Sequence, residues 1–310
     1  MNNTYGFELY SPFETTPDQA GRKQALSDRT LPVSLGSHKE GAGRYQPDEG
    51  LMDAVNVALA VGAPLLLTGE PGTGKTQLAS HLAGYFDIPL LQLHVRSDST
   101  ADDLLYRFDA VAYLHAANDP ERRGKALSRG DFVEPGPLWQ AYLEEHASVV
   151  LIDEIDKAPR DFPNDLLNVL DQHRFYVREK NEWVDRGRRP PPIVVITSNS
   201  ERRLPEPFLR RCIFHHIRFT QELVLRAVKA HLHSFPNLDE GLQEAALQRF
   251  FELRGRDIRK PPATAELLVW LAVLSAQGTH RAQDLRTCPL AKLPALCTLV
   301  KDRDDLAQIG

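Results

Sequence analysis

Eight consecutive residues, Gly69-Glu70-Pro71-Gly72-Thr73-Gly74-Lys75-Thr76, fit the spacing G-x-x-x-x-G-K-[ST]. That spacing does phosphate chemistry. The glycines let the backbone turn so that its N–H groups point inward at an anion. A helix starting at the end of the loop adds the positive end of its dipole. Lys75 can reach β- and γ-phosphates, and the hydroxyl of Thr76 suits a magnesium ion. Gln77, which opens the expected helix, completes the nucleotide-contacting stretch. The bland alternative is a glycine-rich turn arising by chance, and the flanking strand and helix argue against it.

A second set of residues complements the loop. Val149 to Ile152 is a buried strand that delivers two carboxylates, Asp153 and Glu154, at its C-terminal end. Ligands of open α/β sheets bind at that edge. Asp153 is placed to hold magnesium, and Glu154 to polarise a water for attack on a γ-phosphate. The next apolar strand, Ile193 to Thr197, ends in Ser198-Asn199. Asn199 would sit at the same edge. Asn after a strand is ordinarily a turn residue, so its catalytic reading rests on the two acids beside it.

The elements that must position these groups can be read from periodicity. Leu51, Ala54, Val55, Ala58 and Leu59 recur at helical spacing. Pro64 to Leu67 is a short strand, Gln77 to Phe86 a helix, and Ile88 to Val95 a strand. Cys212 to Phe219 is a fifth strand. Short apolar strands alternating with helices predict a parallel sheet covered on both faces. After Thr220 the strands stop, and helical patterns cover Gln221 to Ser234, Asp239 to Leu253 and Ala265 to Ala276. Residues 1 to 45, rich in Thr, Ser, Gly, Pro and charge, read as a flexible arm. Residues 46 to 219 then form the nucleotide-binding core, and residues 220 to 310 a smaller all-helical domain.

Gly69 to Thr76, Asp153-Glu154, Asn199 and Leu204-Pro205-Glu206-Pro207-Phe208-Leu209-Arg210-Arg211 together resemble the AAA+ ATPases of the MoxR group. The first three correspond to Walker A, Walker B and sensor 1. The resemblance covers about residues 45 to 275. It implies an α/β fold, an AAA+ P-loop parallel sheet with helices on both faces, followed by a smaller all-α lid. It also implies ATP and Mg2+ as cofactors, ATP hydrolysis, a homo-hexameric ring and a protein client, often one with a von Willebrand factor A domain. The Leu-Pro-Glu stretch leads in the family to an arginine that enters the neighbouring subunit's site. Arg211 stands there, and Arg210, where Asp is frequent, is a second finger candidate. Asp131 to Leu138 is similar to the family's Pro-Gly-Pro-Leu stretch, and Asp102 to Gly130 to its second-helix insert. Asp171 to Arg189 alternates around Lys180-Asn181 and reads as a hairpin. The lid arginine of relatives has no match in register, and Arg256, Arg259 and Lys260 lie nearby.

Composition narrows the remaining classes. A chain of 310 residues with 42% apolar residues can bury a core without staples. Its net charge of -5 disfavours a general attraction to nucleic acid. Arg186, Arg188 and Arg189, with Tyr176 and Trp183, leave a local contact open. Three dispersed cysteines give neither a disulfide framework nor a zinc site, which fits a reducing cytoplasm. His215, His216, His231 and His233 lack a third ligand at metal spacing. Lys157 and Arg160 are expected on the helix after the acids. The longest nearly apolar run, Val57 to Thr68, is too short to cross a bilayer, and Met1 to Tyr10 has no leader pattern. No N-K-x-D guanine-reading motif occurs. A nucleic-acid-directed ATPase of restriction or phage defence is the alternative to protein remodelling.

Overall fold

A computed structural model describes residues 23–24, 45–119, 127–278 and 280–309. The expected arm over residues 1–45 lies outside the described residues except for Lys23, Gln24 and Tyr45. The described chain forms two compact units, divided in sequence between Phe219 and Thr220.

The first unit opens with α1 (Glu49–Val61). Asp48 caps it, its carboxylate accepting from Leu51 N at 2.8 Å, and Gly62 ends it in the left-handed region. Next come β1 (Leu65–Gly69), α2 (Lys75–Phe86) and β2 (Leu90–His94). After α3 (Asp102–Leu105), β3 (Tyr106–Phe108), α4 (Ala110–Asn118), β4 (Val133–Pro135) and α5 (Pro137–Leu143) comes β5 (Val149–Asp153). The unit closes with α6 (Phe162–Gln172), β6 (Arg174–Val177), β7 (Glu182–Asp185), β8 (Ile193–Ser198), α7 (Glu206–Leu209) and β9 (Ile213–Ile217).

Five strands make one parallel sheet in the order β2-β5-β8-β1-β9. Helices flank it, so its inner strands are apolar except towards their C-terminal ends. Every residue of β1 and β5 is buried, whereas the edge strands β2 and β9 mix half-buried and exposed positions. Leu66, Val150, Ile152 and Ile196 pack into one core with Trp139, Tyr142, Phe162 and Phe208.

Two small hairpins decorate the sheet. Strands β3 and β4 pair antiparallel, Tyr106 opposite Pro135, with β3 inside the expected insert and β4 just past it. The sequence reading placed the insert there but did not anticipate the pairing. Residues 120–126 of the insert lie outside the described residues. The expected hairpin forms as β6–β7, turning at Asn181 with φ 54°. Phe175, Val177 and Val184 face inward, and Tyr176 and Trp183 outward. One expectation fails. Lys157 and Arg160 do not ride a helix: Ile155–Lys157 is a single 3-10 turn, and α6 begins only at Phe162. Pro163 in its first turn fits a helix start, where a missing N–H costs nothing.

The second unit is helical: α8 (Gln221–His231), α9 (Glu240–Arg254), α10 (Thr264–Gln277), α11 (Ala282–Thr287) and α12 (Arg303–Gln308). Thr220 and Asp239 cap α8 and α9 through their side chains. Phe250, Leu253, Leu267, Trp270 and Leu271 are fully buried, and Trp270 Nε1 donates to Pro294 O at 2.8 Å. Arg256, Arg259 and Lys260 are each paired inside this unit. Arg259 meets Asp304 at 2.8 Å, Lys260 meets Asp302 at 3.3 Å, and Arg256 meets Glu252 at 3.7 Å.

Candidate nucleotide site

The loop between β1 and α2 is shaped by its glycines. Gly69 has φ 149°, and a Cβ there would stand 2.5 Å from the carbonyl oxygen of Ile217. Gly74 has φ 87°, and a Cβ there would meet the Tyr45 ring at 2.9 Å. Neither position accepts a side chain. Gly72 is also left-handed, at φ 74°. Glu70, Pro71 and Gly72 are exposed at the loop's crest, while Thr73 is buried and donates to Glu70 O at 2.8 Å. Gln77 is half-buried in the first turn of α2.

Lys75 is 7% exposed, and its Nζ donates to Gly69 O at 2.8 Å and Glu70 O at 2.9 Å. The ammonium therefore lies inside the loop it belongs to. Burial lowers its pKa below the usual lysine value, and Asp156, Asp153, Glu154 and Glu70 counteract the shift.

The sheet edge brings the acids to the loop. Thr76 Oγ1 donates to Asp153 Oδ1 at 2.8 Å, and Thr197 Oγ1 donates to the same oxygen at 2.7 Å. Thr197 Oγ1 also accepts from the Glu154 backbone N–H at 2.8 Å. Glu154 has φ 60°, a left-handed conformation that costs a non-glycine residue about 1–3 kcal/mol. The hydroxyl of Thr197 holds it there. One carboxylate oxygen of Glu154 accepts from Asn199 Nδ2 at 3.3 Å, and the other pairs with Lys157. Thr76, Asp153, Glu154 and Asn199, predicted from three separate segments, thus share one hydrogen-bonded cluster beside Lys75.

Arg210 and Arg211 stand apart from it. Arg210 pairs with Glu206 one turn earlier on α7 and is exposed. Arg211 donates to Asp171 Oδ2 at 2.7 Å, at the end of α6, and to Pro207 O at 3.0 Å. Burial pushes the neighbouring Cys212 thiol up to about 12.

Sequence reasoning missed three residues. Thr197 looked like one more strand residue. His94, at the end of β2, places Nδ1 3.3 Å from Asp153 Oδ2. Asp156 looked like one more acid after Walker B. Its side chain accepts from the backbone N–H groups of Asn199 and Glu201. No spacing rule marks these positions, because each acts through a neighbour brought close by sheet pairing.

The oxygen donors fit a hard divalent cation. A hydroxyl and a carboxylate side by side are the kind of ligands Mg2+ prefers. The histidine pairs are otherwise engaged: His216 Nδ1 lies 2.9 Å from Thr68 Oγ1, and His231 Nδ1 2.8 Å from Ala227 O. Among the described residues no group of three His, Cys, Asp or Glu side chains is placed to hold a metal. No helix among them is long and apolar enough to cross a membrane.

Comparison with known proteins agrees with this geometry. Residues 64–212 match the family described as AAA domain (dynein-related subfamily). The chain is 31% identical over 161 residues to Probable chaperone protein ClpB 1 of Chlorobaculum tepidum, covering 49% of this chain and 34% of that one. It is 33% identical over 163 residues to Uncharacterized protein YojN of Bacillus subtilis, covering 52% and 49%. A longer alignment, 28% identical over 263 residues, joins it to the chaperone protein ClpB of Streptomyces albus G, covering 79% and 28%. The chain thus spans half the length of these relatives or less. Parallel sheet, phosphate loop, strand-end acids and family match together give residues 64–212 the fold of an AAA+ domain.

Proposed function

We propose that this chain hydrolyses ATP with Mg2+ as a ring-forming AAA+ ATPase of MoxR type, and that it spends the energy on remodelling a protein partner. The observation that carries the hydrolysis reading is the cluster of Thr76, Asp153, Glu154 and Asn199 beside Lys75. Lys75 would leave its two loop carbonyls for phosphate oxygens. Thr76 and Asp153 would hold Mg2+, which supplies charge neutralisation on the phosphates. Glu154 would accept the proton of the attacking water, with Asn199 orienting its carboxylate. Gly69 to Gly74, with Gln77 behind them, would line the phosphates.

Several features support the assembly. Arg210 and Arg211 make no contact with the cluster of their own chain, which suits a role at a neighbour's nucleotide. Arg211 is the better finger candidate, because Asp171 and Pro207 O hold it in place from two elements. A homo-hexamer and a client with a von Willebrand factor A domain follow from the MoxR resemblance, and the chaperone names of two relatives favour a protein client. Three free cysteines suit a cytoplasmic setting.

One observation favours the nucleic-acid alternative. The outer face of β6–β7 pairs Tyr176 with Trp183, ring centroids 5.5 Å apart, and the Arg174 guanidinium lies 5.0 Å from the centroid of the Trp183 ring. Aromatic faces beside guanidinium groups can stack bases. Steady-state ATP turnover, measured alone, with single-stranded DNA or RNA, and with proteins retained by the Glu154→Gln variant, separates the readings. Stimulation by nucleic acid and by no retained protein would overturn the remodelling proposal.

A further inference from the structure

Asp156 is a buried carboxylate that the hydrolysis scheme does not use. It is 3% exposed, so its charge needs partners that stay in place. Those partners belong to the chain just past β8. Oδ2 accepts from Glu201 N at 2.9 Å, and Oδ1 from Asn199 N at 3.3 Å. Between these donors Ser200 adopts φ 63°, and its own N–H donates to Ser198 Oγ at 3.0 Å. Alternating N–H groups around a left-handed residue form a concave anion-binding nest. Here the anion is supplied by the 3-10 turn that follows Glu154.

The connection runs in a closed circuit. Glu154 and Asp156 lie two residues apart after β5. Asp156 grips the backbone of Asn199, and the Asn199 side chain returns to Glu154 Oε1 at 3.3 Å. Thr197 closes the other side by bonding Asp153 Oδ1 and Glu154 N. The left-handed Ser200 is held only as long as its surroundings over-determine it, and Asp156, together with Ser198 Oγ, does so.

We propose that Asp156 is a positioning residue that fixes Asn199 against Glu154 by filling the backbone nest at residues 199–201. The inference rests on the ATPase reading above. Asp156→Asn keeps the size of the side chain but sets an amide NH2 against a backbone N–H. Turnover and ATP affinity are measured on the wild type, Asp156→Asn, Asn199→Ala and the double variant, with Tm followed for each. Asp156→Asn should lower kcat tenfold or more and leave the ATP Kd within threefold. In the double variant kcat should equal that of Asn199→Ala alone, because a misplaced amide and a missing one are equivalent. A merely structural Asp156 would lower Tm while its effect on kcat multiplied with that of Asn199→Ala, and that outcome overturns the proposal. So does a kcat for Asp156→Asn within twofold of wild type. If Asp156→Asn does not fold, Asp156→Glu, which keeps charge and both acceptors on a longer arm, carries the same comparison. A wild-type chain without ATP turnover would instead remove the ATPase reading, and this inference with it.

Discussion

Thr76 and Asp153, 77 residues apart in sequence, are joined by a 2.8 Å hydrogen bond from the threonine hydroxyl to the strand-end carboxylate. The phosphate loop and β5 therefore meet directly, with an oxygen donor of each side by side. Removing one partner should weaken the use of magnesium before it weakens the fold. Asp153→Ala should raise the Mg2+ concentration needed for half-maximal turnover at least tenfold, since a hydrogen bond to a charged group is worth about 1.5–3 kcal/mol. A Mg2+ titration of turnover at saturating ATP checks it.

Lys75→Ala should weaken ATP binding about tenfold to a hundredfold, from loss of charge-assisted hydrogen bonds. Equilibrium binding of labelled ATP decides this. The wild type should also show a pH signature. Burial lowers the Lys75 pKa in the folded chain, so folding favours the neutral amine. The resulting cost to stability is complete below the folded pKa. It is relieved as pH rises through that value towards the ordinary lysine range. Bound phosphate needs the ammonium, so the rise in Tm on adding Mg-ATP should shrink on the alkaline side earlier than an ordinary lysine would allow. Thermal denaturation across pH, with Lys75→Arg as the control that stays charged, tests the sign.

Much of this architecture was legible in the sequence because it rests on local signals. The strands Leu65–Gly69, Val149–Asp153 and Ile193–Ser198 are apolar runs buried between helices, and the helices that follow Thr220 repeat every three or four residues. Gly69 and Gly74 were readable because no other residue fits their backbone. The β3–β4 pairing was not legible, since three-residue strands joined across the insert leave no periodic trace. Thr197 and Asp156 were equally invisible. Their types are ordinary, and what matters is which backbone N–H or carboxylate the fold brings within 3 Å. Lys157 and Arg160 were misplaced because Ala158-Pro159 interrupts the chain before α6, which the charge pattern alone does not reveal.

Cysteine reactivity offers a check on the core that is independent of nucleotide. Burial pushes Cys212 up to about 12, so its thiolate fraction at pH 8 is about one part in ten thousand. Cys297 is exposed. Iodoacetamide at pH 8 should modify Cys297 in the native chain and reach Cys212 only on unfolding, as read by peptide mass spectrometry. Rapid native modification of Cys212 would contradict the packing around α7.

The arginine pair predicts catalysis across a subunit boundary. Lys75→Ala binds ATP too weakly for turnover but still presents Arg210 and Arg211. Arg210→Ala/Arg211→Ala holds ATP but lacks both guanidinium groups, a loss worth about 10³ to 10⁵ in rate where such arginines act. Mixing the two inactive proteins should restore part of the turnover, because some interfaces combine one intact half from each. Co-assembled mixtures that stay as inactive as their components would show that Asp171 and Glu206 hold these arginines for structure alone.

The most direct measurement compares ATP binding and turnover in the wild type and in Glu154→Gln. The amide keeps the shape of the side chain and its bond to Asn199 can re-form, but it accepts no proton. The expected result is Mg2+-dependent turnover by the wild type, with a Glu154→Gln variant that binds ATP as tightly and loses about 10²- to 10⁴-fold in kcat. Near-normal turnover in Glu154→Gln, or a wild type that binds no ATP, would contradict the account.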